Sequence, residues 1–177
     1  MKTRTSSLLG DQSGVVLIEF AMIAPFLILL FLSGFNLASG MALARKAATA
    51  AHAVADLAAQ PTMVTKANLD EILSTKDDIV APFKLNDKLA RITQVKTNGL
   101  GVAKVEWSYA KTGAALQKGR PYDLPLDFQL PNITYIITDL EYEYRYQGDI
   151  VGAAPMPLSE SVIVLPRQSQ EVTCSDC

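Results

Sequence analysis

The chain contains one histidine, His52, and two cysteines, Cys174 and Cys177, both in its last four residues. That is a thin inventory for metal or acid–base chemistry. No cluster of metal-ligating residues gathers around His52 in the sequence, so it reads as a solvated helix residue. There is no nucleophile elbow, no phosphate loop of the GxxxxGK[ST] form and no HExxH zinc signature. The stretch "GAALQKG" has glycine and lysine at the wrong spacing for a phosphate loop. The adjacent acids Asp77 and Asp78 splay apart and read as solvated, not as a catalytic pair. There is also no basic block: 16 Lys+Arg stand against 18 Asp+Glu, a net charge of -2. Nucleic acid is therefore not expected as a partner. These absences point away from an enzyme, and no cofactor or metal is expected.

What the chain does have is a long apolar run. Its 177 residues suggest one domain with appendages, and much of the 49% hydrophobic content lies before residue 60. "SGVVLIEFAMIAPFLILLFL", Ser13 to Leu32, holds a single acid, Glu19. About 20 apolar residues span a bilayer as a helix, so Val15 to Leu37 is long enough. A charge at the bilayer centre costs roughly 2.5–3.5 kcal/mol on insertion scales, so Glu19 calls for a partner. Lys2 and Arg4 ahead of the run favour a cytoplasmic N-terminus, but Arg45 and Lys46 follow it closely, so the charges alone leave orientation open. A secretory signal peptide is one reading, with "ALA" at Ala42 to Ala44 as its cleavage pattern. The apolar run is longer than the usual h-region of about 7–15 residues, and that reading does not explain Glu19. A plain signal-anchor leaves the acid unexplained as well.

In "GVVLIEF" a glycine precedes four apolar residues, a glutamate and an aromatic. This resembles the class III signal of the Tad/Flp branch of type IV pilins. The continuation "EFAMIAPFLILLF" is similar to the TadE-like minor pilins (pseudopilins). The leader is 14 residues, and Phe20 stands where major pilins often have Tyr. The resemblance implies cytoplasmic cleavage by a prepilin peptidase between Gly14 and Val15, where glycine lets a protease approach the backbone closely. It implies that Glu19 meets the new N-terminal amine of Val15 on a neighbouring subunit, an ion pair that offsets the cost of burying the carboxylate. It also implies other Tad pilins, an inner-membrane assembly platform and the lipid bilayer as partners. The expected placement is single-pass in a bacterial inner membrane, with the C-terminal domain periplasmic or extracellular. Pro25 removes one helix hydrogen bond and favours a kink, which in a membrane helix is often a tolerated bend.

Beyond the membrane, Leu43, Ala47, Ala50, Val54 and Leu57 recur at heptad spacing, with Arg45, Thr49, His52 and Asp56 opposite. Pro61 ends the run. Val15 to Gln60, fully helical, would reach roughly 69 Å at about 1.5 Å per residue. A short helix is expected at Lys66 to Ser74, then a loop over "TKDDIVAPF". From Leu89 the period becomes two. "LARITQVKT" and "LGVAKVEWSY" flank Asn98-Gly99, a two-residue hairpin signal. Val105, Trp107 and Tyr109 are expected on one face. A Gly/Pro-rich loop follows. Leu140, Tyr142, Tyr144 and Tyr146 then form a strand row that reads as a packed sheet face. Leu158 to Leu165 is the last strand. The expected fold is α+β and pilin-like: a long N-terminal helix on an antiparallel sheet of about four strands. The expected organisation is a leader at 1–14, a membrane helix at 15–37, its exported continuation at 38–60 and a head at 61–177. "VEWSYA", "LEYEYRY" and the closing "LPR" look similar to the same family more loosely. Cys174 and Cys177 read as a structural disulfide in an oxidising compartment; free thiols or pairing with another chain stay open. The competing reading is a membrane-anchored or exported ligand-binding domain that uses the tyrosine strand or the Gly/Pro loop.

Overall fold

A computed structural model describes residues 13–145 and 155–177. Most of the leader, Tyr146 and most of the "QGDIVGAAPMP" connection lie outside the described residues. The chain divides into two compact units, Met1–Met41 and Ala42–Cys177. Helix α1 runs from Ser13 to Ala59. The second unit continues with β1 (Met63–Val64), α2 (Lys66–Val80), β2 (Asn86–Thr97), β3 (Ala103–Thr112), β4 (Pro121–Tyr122), a 3₁₀ turn (Leu126–Phe128), β5 (Thr134–Tyr144), β6 (Met156–Val164) and β7 (Thr173–Cys174).

The fold is α+β and pilin-like, with one long N-terminal helix and an antiparallel sheet of order β4-β3-β2-β5-β6. Its four long strands are those read from the period-two pattern. The fifth, Pro121–Tyr122, pairs with Ala103 and Lys104 from inside the stretch expected to be loop. β1 and β7 form a separate parallel pair. One face of the sheet is covered by the second half of α1. Ala47, Ala51, Val54, Ala55 and Ala58 are buried with Ile92, Trp107, Ile136, Leu140, Tyr142 and Val162. Alanine on the helix keeps its surface thin, so the backbone can lie close to large strand side chains. The stripe departs from the heptad after Val54: Leu57 is 36% exposed, while Ala55, Ala58 and Ala59 are buried. A straight helix drifts by about 20° per heptad from a strict 3.5-residue repeat, which brings the next positions onto the core.

Three local expectations are corrected. Helix α2 extends to Val80, through the "TKDD" expected to be loop. Thr65 and Asn68 form a reciprocal capping box at its start, with Asn68 N–H donating to Thr65 Oγ1 and Thr65 N–H to Asn68 Oδ1. Its buried positions are Leu69, Leu73, Lys76 and Val80. The helical period thus continues, but a lysine occupies one core position and hides it. Pro82 then stops the helix, since the residue before a proline is pushed out of the helical region.

The β2–β3 connection spans five residues, not two. Asn98 Oδ1 accepts from the N–H groups of Leu100 and Val102, and Gly101, not Gly99, adopts a positive φ of 78°. The asparagine side chain closes a wider turn than the dipeptide signal implied. Finally, Val105 does not share a face with Trp107 and Tyr109. The register jumps from Gln94↔Trp107 to Val95↔Val105, which leaves Glu106 as a bulge residue. Trp107 and Tyr109 therefore join the helix-covered core. Val105 instead packs on the other face with Val95, Leu124, Tyr135 and Ile137.

Candidate functional site

The first half of α1 is apolar and exposed around its whole circumference. Val15, Val16, Leu17, Ile18, Phe20, Phe26, Leu30 and Phe31 are each more than half exposed. The helix is long and apolar enough to cross a membrane. Gly14 lies in its first turn, and a Cβ there would meet nothing within 4 Å. Glu19 is exposed and has neither ion pair nor hydrogen bond among the described residues. Val15 and Glu19 are four residues apart and so lie one above the other on one helix face; Phe20 points about a quarter-turn away. Pro25 sits inside α1, whose helical assignment is unbroken around it. Its ring nitrogen cannot donate to the carbonyl one turn back. Ser33 Oγ donates to the Leu29 carbonyl at 2.7 Å, which satisfies a hydroxyl within an apolar stretch.

The second unit places the other residues singled out from sequence. His52 is exposed on α1. Cys174 and Cys177 are joined by a disulfide with Cα atoms 5.6 Å apart. Leu140, Tyr142 and Tyr144 are buried, so this part of the tyrosine row is sheet packing. The histidine, the disulfide and the tyrosine strand do not converge on a common site.

Two polar constellations had no signal in the sequence. Lys76, 1% exposed, contacts Asp77 and Asp87 at 2.5 Å each, and its ammonium lies 5.9 Å from the centre of the Tyr142 ring. The Tyr142 hydroxyl is buried without a hydrogen-bond partner. Burial, then the Asp87 and Asp77 charges, push its pKa far up. It borders a groove of ≈ 480 Å³ walled by Val80, Pro82, Phe83 and Leu85.

On the opposite sheet face Arg91 donates to Asp139 through Nε and Nη2, at 3.2 and 2.8 Å, and to the Ala114 carbonyl through Nη1. Ser161 Oγ donates to the other Asp139 oxygen at 2.8 Å. This cluster fastens the loop after β3 to the sheet. Only the register of β2, β5 and β6 brings Arg91, Asp139 and Ser161 together, so no local motif could announce it. Its polar groups are already engaged with one another, and the chain's one histidine lies elsewhere, on α1.

The chain is thus an α+β protein with a long, exposed apolar helix at its N-terminus. Comparison with protein-family models, with curated proteins and with solved structures returns no match.

Proposed function

We propose that the chain is a TadE-like minor pilin (pseudopilin) that takes part in assembly of a Tad-type, type IVc pilus. In this reading a prepilin peptidase cuts between Gly14 and Val15. The apolar part of α1 spans the inner membrane, and the unit Ala42–Cys177 stands outside the cytoplasm, priming or capping the fibre. The observation that carries the reading is Glu19: one carboxylate, five residues past Gly14, on a bare apolar helix with nothing among the described residues to neutralise it. An intramembrane carboxylate with no partner among the described residues is a functional-site hypothesis by default. A second subunit bearing a free Val15 amine supplies that partner.

The secretory reading fares less well. A cut after Ala44 would remove Leu43, which is fully buried with Ala50, Val80 and Tyr144.

Mass analysis of the protein from native membranes tests the proposal. The mature chain is expected to begin at Val15, and the full leader to persist where the peptidase is deleted. A chain beginning at Met1 or Arg45 in piliated cells overturns it. Glu19→Ala is expected to abolish assembly while membrane insertion is unchanged; retained assembly counts against the reading.

A further inference from the structure

The second unit begins at Ala42, directly after the apolar segment. Its first core residue, Leu43, is buried with Val80 and Tyr144, and Phe83 and Met156 pack against the same cluster. The end of α2, the loop after it and the end of β5 therefore gather around the first residues of the second unit. Three cations surround this cluster. Lys46 Nζ donates to the Ala81 carbonyl and lies 5.7 Å from the centre of the Phe83 ring. Phe83 meets Tyr144 edge-to-face at 6.2 Å. Lys84 and Arg145 are the exposed neighbours of these two aromatics. Arg45 adds a fourth cation beside Lys46. None of the four forms an ion pair among the described residues. The carboxylates at this end are Asp77, Asp78, Asp87 and Glu143; Lys76 engages Asp77 and Asp87, and Lys88 engages Glu143, whose pKa the Arg145 charge also helps to lower, which leaves Asp78.

We propose that the Ala81–Lys84 loop, with Lys46 and Arg145, is a contact surface for anionic phospholipid headgroups. The argument rests on charge complementarity and chain continuity. With α1 spanning a bilayer over residues 15–37, residues 43–46 lie about 9–14 Å past the hydrocarbon edge at about 1.5 Å per residue, within about one screening length of an anionic surface. The elements packed on Leu43 are then held within reach of that surface. Each Lys or Arg held near an anionic leaflet adds attraction that decays over about 10 Å at 0.1 M salt. The exposed loop Ala81-Pro82 offers its apolar atoms to the interface, while Lys84 and Arg145 reach the phosphates. The contact would fix the tilt of the outer unit on the membrane before assembly. It rests on the membrane-spanning part of the proposed function but not on the pilus.

The test uses the full chain reconstituted in vesicles of phosphatidylcholine, with and without phosphatidylglycerol. In the unmodified protein, labelling of Lys84 by a water-soluble amine reagent is expected to fall by about threefold in the phosphatidylglycerol vesicles, while exposed Lys104 and Lys118 label equally in both. High salt is expected to restore Lys84 labelling. In a second readout, Phe83→Trp is expected to be quenched by brominated lipid in anionic vesicles, and adding Lys84→Gln and Arg145→Gln is expected to remove that quenching. A chain that resists carbonate extraction yet labels equally at Lys84 in both lipids overturns this proposal alone. A chain that carbonate extracts overturns the membrane-spanning reading, and this proposal with it.

Discussion

Lys76 is buried, yet its ammonium holds two carboxylates, Asp77 and the half-buried Asp87. Burial alone pulls a lysine's pKa down, but the hydrogen bonds to Asp77 and Asp87 outweigh it and hold Lys76 above its ordinary 10.5. A group whose folded pKa is raised contributes stability that is fully present below its unfolded value and is lost as pH rises through the folded one. Breaking a buried pair by removing one partner leaves an uncompensated charge. Asp77 remains in the Asp87→Asn variant, and solvent reaches both acids. The expected loss at pH 7 is therefore about 1–2 kcal/mol, below the range for fully buried pairs. Urea unfolding of wild type and Asp87→Asn across pH checks this. The gap should begin to narrow above pH 10.5 and close as pH rises through the raised pKa of folded Lys76, whose neutral amine no longer needs the second carboxylate. A gap that stays constant to the alkaline limit would show that Asp87 acts through packing alone.

At the scale of elements, the β2–β3 turn and the bulge in β3 decide which side chains reach which face. Gly101 combines a positive φ with a close approach: a Cβ there would lie 2.3 Å from the Gln129 carbonyl oxygen. Gly99, in the same turn, would place its Cβ in open space. Gly101→Ala is expected to destabilise the chain by about 2 kcal/mol or more through strain and backbone displacement. Gly99→Ala is expected to change stability by less than about 0.5 kcal/mol. Thermal melts of the two variants check the pair, and equal effects would contradict the five-residue turn.

The same two elements show what was legible. The alternation in β2, β3 and β5 and the strong turn residues are local, so both the strands and the hairpin could be read from sequence. The bulge at Glu106 leaves no composition mark, and Val105 looked like a partner of Trp107 because parity is assumed to hold along a strand. α2 was cut short because a buried lysine reads as surface. The docking of the tail was illegible for a related reason. Gln94 accepts from the Val172 N–H and Trp107 Nε1 donates to the Val172 carbonyl, contacts made across 78 and 65 residues. The apolar helix and its acid, by contrast, are contiguous in sequence, so the helix was the most readable element of the chain.

For the whole molecule, the decisive question is where the mature chain begins, and the core of the second unit constrains the answer. Leu43 is fully buried, whereas Leu37 is 68% exposed. Truncating a buried leucine to alanine removes its transfer free energy and leaves a cavity, typically costing 2–5 kcal/mol. Leu43 lies at the entry of its unit, where the surroundings can close in part, so about 2–3 kcal/mol is expected for Leu43→Ala. In a chain of this size that lowers Tm by about 5–10 °C, while Leu37→Ala should leave the melt of the outer unit unchanged. A processing event after Ala44 would discard Leu43 altogether and impose at least the same loss on every mature copy. Cleavage after Gly14 keeps the core whole and also keeps the exposed apolar helix. Measuring the melt of the detergent-solubilised variants therefore bears on biogenesis as well as on stability. If Leu43→Ala melts with wild type, the core does not require residues ahead of Arg45, and the structural objection to a secretory cut disappears.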